Sequence, residues 1–215
     1  MTMIADSSNR CVCCGAEIPE GSMVCLNCAS GEVVDYMHKL SYSVQSLVYP
    51  SMNSNPDGIS ADLFFRGCKR HCPGCHNLEL QNFTSDNTSL QSICDAIESN
   101  GVKIITLMGG EPLDVEPQKL RDLLYELTTR FFDLKISMFT GYKLEEVPQF
   151  VFDYLDYIKV GMYDKNHLSP FGSFLASTNQ HFYKITKKCG DKVYLREYAN
   201  NKHYVNKDYI LSFNK

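Results

Sequence analysis

The chain has 215 residues, 44% of them apolar, and a formal net charge of −4. That length supports one substantial domain plus a small appendage, and no dense run of Lys or Arg points to a nucleic-acid groove. No stretch approaches twenty apolar residues and the first ten residues hold no apolar core, so neither a membrane span nor a secretory signal is expected, which implies a cytoplasmic protein. Ten cysteines in a reducing compartment then argue for metal sites over disulfides.

The first cysteine group, "CVCCGAEIPEGSMVCLNC", places Cys11, Cys14, Cys25 and Cys28 in the spacing C-x2-C-x10-C-x2-C. Too few apolar residues surround it for a core, so metal binding is expected to drive its folding. Four thiolates close a tetrahedral site, and zinc is the expected occupant, with a second iron–sulfur cluster as the alternative. Cys13 reads as a bystander. Residues 1–30 are thus expected to form a zinc-ribbon-like module, and without a basic stripe its partner is expected to be protein. Residues 31–60 read as a connector and entry segment that ends in the turn-rich "PSMNSNPDG".

Residues 61–185 carry a different pattern. "ADLFF" predicts a short strand. Leu90, Ile93, Cys94 and Ile97 fall at i, i+3, i+4 and i+7, which predicts a helix capped by Thr88 or Ser89. "KIITLM" predicts a buried strand, Leu120, Leu123, Leu124, Leu127 and Phe131 a second helix, and "LKISMF" the next strand. Val147, Val151, Tyr154 and Leu155 predict a third helix with Pro148 in its first turn, and "YIKVG" a fourth strand. Strands alternating with helices imply βαβ units and a parallel sheet, an α/β fold. "GGE" and "TGY" then sit at the C-terminal strand ends, where such sheets hold ligands. Residues 186–215 read as a C-terminal extension with "VYLREY" as a strand. Cys94 is expected in the core and Cys189 as an exposed free thiol.

The second cysteine group, "RGCKRHCPGCHN", follows the first of these strands with Cys68, Cys72 and Cys75 spaced C-x3-C-x2-C. Three thiolates admit two readings. His71 or His76 could complete a closed Cys3His zinc site. Alternatively, three cysteines hold a 4Fe-4S cluster with one iron left open to a chelating ligand. About one βα unit later comes "LMGGEPL", where a Gly-Gly pair permits close backbone approach and Glu111 can accept hydrogen bonds from an ammonium group.

The cysteine spacing is that of radical S-adenosylmethionine enzymes. Residues 42 to 185 resemble the activating proteins of anaerobic ribonucleoside-triphosphate reductase, small glycyl-radical activases of that superfamily. The resemblance rests on "GCKRHCPGCHN", "LMGGEPL", "MFTGYKLEEV" and "VGMYDKNHLSPFGSFLASTNQ", in that order. It implies a partial (β/α) barrel of radical S-adenosylmethionine type, with Cys68, Cys72 and Cys75 as ligands of the 4Fe-4S cluster. Gly74, Cys75 and His76 would line the S-adenosylmethionine site, and Gly109, Gly110 and Glu111 would receive its aminoacyl end. Asn77, Thr140 and Tyr142 are further candidates for the pocket wall, and Asn179 and Gln180 for a structural or partner-contacting role.

The implied activity is an oxidoreductase's. S-adenosylmethionine is reductively cleaved to a 5′-deoxyadenosyl radical, which makes a glycyl radical on the large subunit of the reductase. A flavodoxin-type or similar donor would supply the electron. Two alternatives from other classes are a radical enzyme acting on a small molecule, such as a 7-carboxy-7-deazaguanine synthase, and a non-enzymatic zinc-binding adaptor. The "TGY" and "STNQ" elements argue against the first.

Overall fold

A computed structural model describes residues 39–213 apart from 172 and 199–203, together with the single positions 22 and 29. Cys11, Cys14, Cys25 and Cys28, and with them the expected zinc module, lie outside the described residues.

The strands are β1 (Ser41–Tyr42), β2 (Val44–Ser51), β3 (Ser60–Phe65), β4 (Thr88–Ser89), β5 (Ile104–Gly109), β6 (Lys135–Phe139), β7 (Tyr157–Val160), β8 (His181–Cys189), β9 (Lys192–Tyr198) and β10 (Tyr204–Ser212). The helices are α1 (Leu90–Ser99), α2 (Pro117–Arg130) and α3 (Gln149–Phe152). The starts of the first two have local causes. Ser89 caps α1, its hydroxyl accepting from the Ser92 N–H at 3.1 Å. Glu116 caps α2 by accepting from the Gln118 and Lys119 N–H groups, and Pro117 occupies the first turn, where its missing donor costs nothing.

The third helix departs from expectation. It is a single turn, with Pro148 as its cap. Val147, Val151 and Leu155 are buried as their spacing requires, but the Asp156 carboxylate accepts from Ile136 N–H at 2.9 Å and its own N–H donates to Ile136 O at 2.8 Å. Those bonds to β6 draw the chain into β7 before a second turn can form. Phe131, expected on the α2 face, is that helix's C-cap and is half-buried against the core.

Among the described residues, eight strands form one sheet in the order β10-β9-β8-β7-β6-β5-β3-β2, while β1 and β4 pair apart from it. Strands β3, β5, β6 and β7 run parallel, joined through α1, α2 and α3, so the α/β core follows the sequence. The sheet as a whole is mixed. β2 joins β3 antiparallel, and β8, β9 and β10 add antiparallel strands at the other side. Short turns such as the one at Gly190 (φ 60) reverse the chain without a crossover helix, and only antiparallel pairing tolerates that.

Alternation sorts the sheet's two faces. Ala61, Leu63, Phe65, Ile105, Leu107, Ile136, Met138, Ile158 and Val160 join the helices in the main core. The opposite face carries Asp62, Thr106, Ser137 and Tyr157 in one register row, with Met108, Phe139 and Lys159 above them. Residues 52–59 are pinned at that face by Asp57. Its carboxylate accepts from the Tyr157 and Tyr198 hydroxyls and pairs with Lys135 at 3.2 Å and Lys184 at 3.4 Å.

Burial alone would raise the Asp57 pKa, but the Tyr157 hydroxyl and the two lysines outweigh it and hold the carboxyl at about 2. A carboxyl held below its unfolded value stabilises the fold above that value and loses the contribution as pH falls. Discounted for partial exposure, Asp57→Asn is expected to cost about 1–2 kcal/mol at pH 7. Chemical denaturation should show that difference fading between pH 4 and pH 2.

Candidate metal centre

The second cysteine group forms a closed loop at the C-terminal end of β3. Gly67 N–H donates to Leu80 O at 2.8 Å and Cys68 N–H to Gln81 O at 3.1 Å, so residues 80–81 seal the loop that residues 67–68 open. Within it, His71 (φ 47) and Gly74 (φ 75) take left-handed backbone, and Cys75 N–H donates to Cys72 O at 3.1 Å. This winding turns Cys68, Cys72 and Cys75 toward one cavity of about 390 Å³. All three are free thiols and half-buried.

The loop is welded to the turn after β5. Gly110 N–H donates to Phe65 O and Glu111 N–H to Gly67 O, both at 2.8 Å. Cβ atoms at the two glycines would not fit. At Gly109 (φ 107) it would lie 2.8 Å from the Phe65 backbone, and at Gly110 2.3 Å from Gly67 O. The Gly-Gly pair therefore serves first the close approach of two protein loops.

Two carboxylates then tie in the "TGY" loop after β6. Glu111 is buried, and its oxygens accept from Leu113 N–H at 3.1 Å and Gly141 N–H at 2.7 Å, with the Thr140 hydroxyl as a further donor. Asp114 accepts from Lys69 N–H at 2.7 Å and from the Tyr142 hydroxyl at 2.8 Å. The Tyr142 ring in turn faces the Arg70 guanidinium, 4.1 Å from its centroid. Burial drives the Glu111 pKa up to about 7 despite its donors. Burial and the Asp114 carboxylate push the Tyr142 hydroxyl to about 12.

The donor set fits an iron–sulfur cluster. It consists of three thiols on one loop, and the loop directs backbone N–H groups at sulfur: Asn77 N–H to Cys75 Sγ at 3.4 Å, and Arg70 and His71 N–H groups to Cys68. Such bonds offset the charge that thiolate ligands bring into a half-buried site. Burial raises the Cys68 pKa, and those two backbone donors oppose it. The histidines of the closed-zinc alternative have other side-chain partners, although His76 also lines the cavity. His71 contacts Gln81 at 3.2 Å, and His76 contacts the Tyr163 hydroxyl at 3.3 Å. Among the described residues, no three Cys, His, Asp or Glu side chains converge closely enough to hold a single ion.

A family described as "4Fe-4S single cluster domain" matches residues 54–183, more than half of the chain. The chain belongs to this family. The match spans the cysteine loop, the Gly-Gly turn, the "TGY" loop and the Asn-Gln element. A relative, the anaerobic ribonucleoside-triphosphate reductase-activating protein of Enterobacteria phage T4, is 29% identical over 125 residues, 55% of this chain and 80% of the relative. Both findings support the family resemblance carried by the sequence motifs.

The family's cluster loop brings most of the expected site residues together. Cys68, Cys72, Cys75, His76, Asn77, Gly109, Gly110, Glu111 and Thr140 line the cavity. Gly74 supplies the left-handed turn before Cys75 and does not line it, and Tyr142 is drawn off to Asp114. The Asn179 and Gln180 side-chain amides donate to Met162 O at 2.8 Å and Gly161 O at 2.9 Å at the base of loop 161–180, and Gln180 also lines the cavity. No helix among the described residues is long and apolar enough to cross a membrane.

Sequence reasoning missed Asp114, Arg70 and Lys159. Asp114 had a usable signal, since "GGEPLD" puts a second acid one short turn after Glu111. Lys159 had none, because alternation places it on the cavity face only once the register of β7 is known.

Two outcomes follow from this geometry. Gly110→Ala is expected to cost about 3 kcal/mol or more, read by chemical denaturation, because no flexible side chain can yield to the new methyl group. Glu111 titrates near 7, above its unfolded value, so its protonated form favours the fold and the contribution disappears as pH rises through 7. Between pH 5 and pH 8 the wild type should lose about 2–3 kcal/mol relative to Glu111→Gln.

Proposed function

We propose that the chain is a glycyl-radical activase of the radical S-adenosylmethionine class, with the large subunit of anaerobic ribonucleoside-triphosphate reductase as its protein substrate. The observation that carries the reading is that Cys68, Cys72 and Cys75 share one cavity with the Gly109–Gly110 backbone, while the free cysteines Cys94 and Cys189 lie elsewhere among the described residues. A three-thiolate cluster leaves one iron for an exogenous chelate. The phage relative is named an activating protein for that reductase, which supports the choice of partner.

When bound, the cluster supplies the electron that cleaves S-adenosylmethionine to methionine and a 5′-deoxyadenosyl radical, which abstracts a Cα hydrogen from one glycine of the partner. The chain's own residues position and shield. Cys68, Cys72 and Cys75 hold the cluster, and Cys75 and His76 line the adjoining wall, where Gly74 shapes the turn. The backbone around Gly109 and Gly110 meets the aminoacyl end. Glu111 acts mainly by fixing the "TGY" loop, since both its oxygens already accept protein donors. Met108, Phe139, Phe174 and Leu175 offer apolar walls that keep water from a radical. The parallel strands β3, β5, β6 and β7 form the wall of a partial (β/α) barrel in this reading, residues 1–30 hold zinc, and a flavodoxin-type protein donates the electron.

Anaerobically purified protein is expected to be brown, with about four irons in the cluster. It should yield 5′-deoxyadenosine on reduction with S-adenosylmethionine, and a glycyl-radical signal in electron paramagnetic resonance once the reductase is added. Cys72→Ala should lose both. Full cleavage activity in that variant would sink the proposal.

A further inference from the structure

Lys159 is at odds with its surroundings. Its neighbours on β7, Ile158 and Val160, face the helices, which puts Lys159 on the cavity side beside Met108 and Phe139. Phe174, Leu175 and Ala176 of loop 161–180 line the same space. The ammonium lies 3.8 Å from the centroid of the Phe139 ring, and it makes no hydrogen bond or ion pair with any described residue. Burial pulls its pKa down to about 8, with the Asp62 carboxylate on β3 acting in the other direction, so it remains largely charged at neutral pH. Lysines elsewhere on this face behave differently: Lys135 and Lys184 both reach Asp57. A half-buried three-donor group whose ammonium meets only the Phe139 ring and the more distant Asp62 charge, with no hydrogen-bond acceptor among the described residues, is arranged for an acceptor that arrives with a ligand.

Strand order says which ligand. The thiols follow β3 and the glycines end β5, whereas Lys159 is on β7, two strands beyond β5. At about 4.8 Å per strand, it is roughly 10 Å across the sheet from the Gly109 strand, on the side away from the strand that leads into the thiols. In the activase reading the second reactant is a protein segment with glycine at its centre, and this side is where it would enter. Glycine offers no side chain, so the segment's acceptors there are its backbone carbonyls, and the walls facing them are apolar.

We infer that Lys159 is a substrate-positioning residue whose ammonium donates to a backbone carbonyl beside the target glycine, fixing which Cα hydrogen faces the reaction. This rests on the activase reading. The test uses the full chain, reconstituted anaerobically, in wild-type, Lys159→Met and Lys159→Arg forms. The probe is a synthetic peptide, blocked at both ends, with a central glycine and the reductase's flanking residues.

Lys159→Met should bind S-adenosylmethionine and cleave it without partner within about twofold of wild type. Its affinity for the peptide should fall about tenfold or more, as loss of a charge-assisted hydrogen bond implies, with a matching rise in KM for glycyl-radical formation. Lys159→Arg should recover most of that affinity, which a purely packing role would not require. Should Lys159→Met not fold, Lys159→Gln replaces it in the same comparison. Weakened S-adenosylmethionine binding would overturn the inference by placing Lys159 at the cofactor, and so would unchanged peptide affinity. A wild-type protein that cleaves no S-adenosylmethionine would overturn the activase reading itself, and this inference with it.

Discussion

Two backbone hydrogen bonds, Gly110 N–H to Phe65 O and Glu111 N–H to Gly67 O, set the distance between the cysteine loop and the turn after β5. That distance is too short for any Cβ. Everything around the cavity is built on it. The loop can be closed by residues 80–81 because its root at Gly67 is fixed, and its three sulfurs can face one space because the root does not move. A glycine pair that reads as room for a ligand is occupied first by protein.

From that weld the site grows by carboxylates. Glu111 and Asp114 sit one short turn apart, and each joins two loops: Glu111 its own turn to the "TGY" loop, Asp114 the cysteine loop to the same "TGY" loop. Three segments far apart in sequence thus become one rim through side-chain hydrogen bonds.

Much of this was legible in the sequence, and the reason differs from element to element. Strand β5 and helices α1 and α2 could be read because apolar spacing, and for α1 a serine cap, agree with the packing they enter. The cysteine loop and "GGE" were legible as chemistry. Helix α3 was not, since its apolar spacing is real but Asp156 bonds to β6 and stops the turn, a tertiary contact with no local signature. Strands β8 and β10 were missed for the opposite reason. "HFYKITKKC" is apolar at one end and exposed at the other, so no single period marks it. Lys159 looks like an ordinary strand lysine until register shows which way it points.

The clamp at Asp57 has a further consequence. Two of its four partners, Lys184 and Tyr198, belong to β8 and β9, and Tyr198 lies beyond the stretch that the family shares. The segment they hold down carries Asn53 and Ser54, which line the cavity. A hairpin that reaches past the matched stretch is therefore a foundation for the chamber above it. Ile210 at its edge is exposed, but Tyr209 and Leu211 on either side pack against the core, so trimming the chain back to the matched boundary would take away a wall and not an ornament.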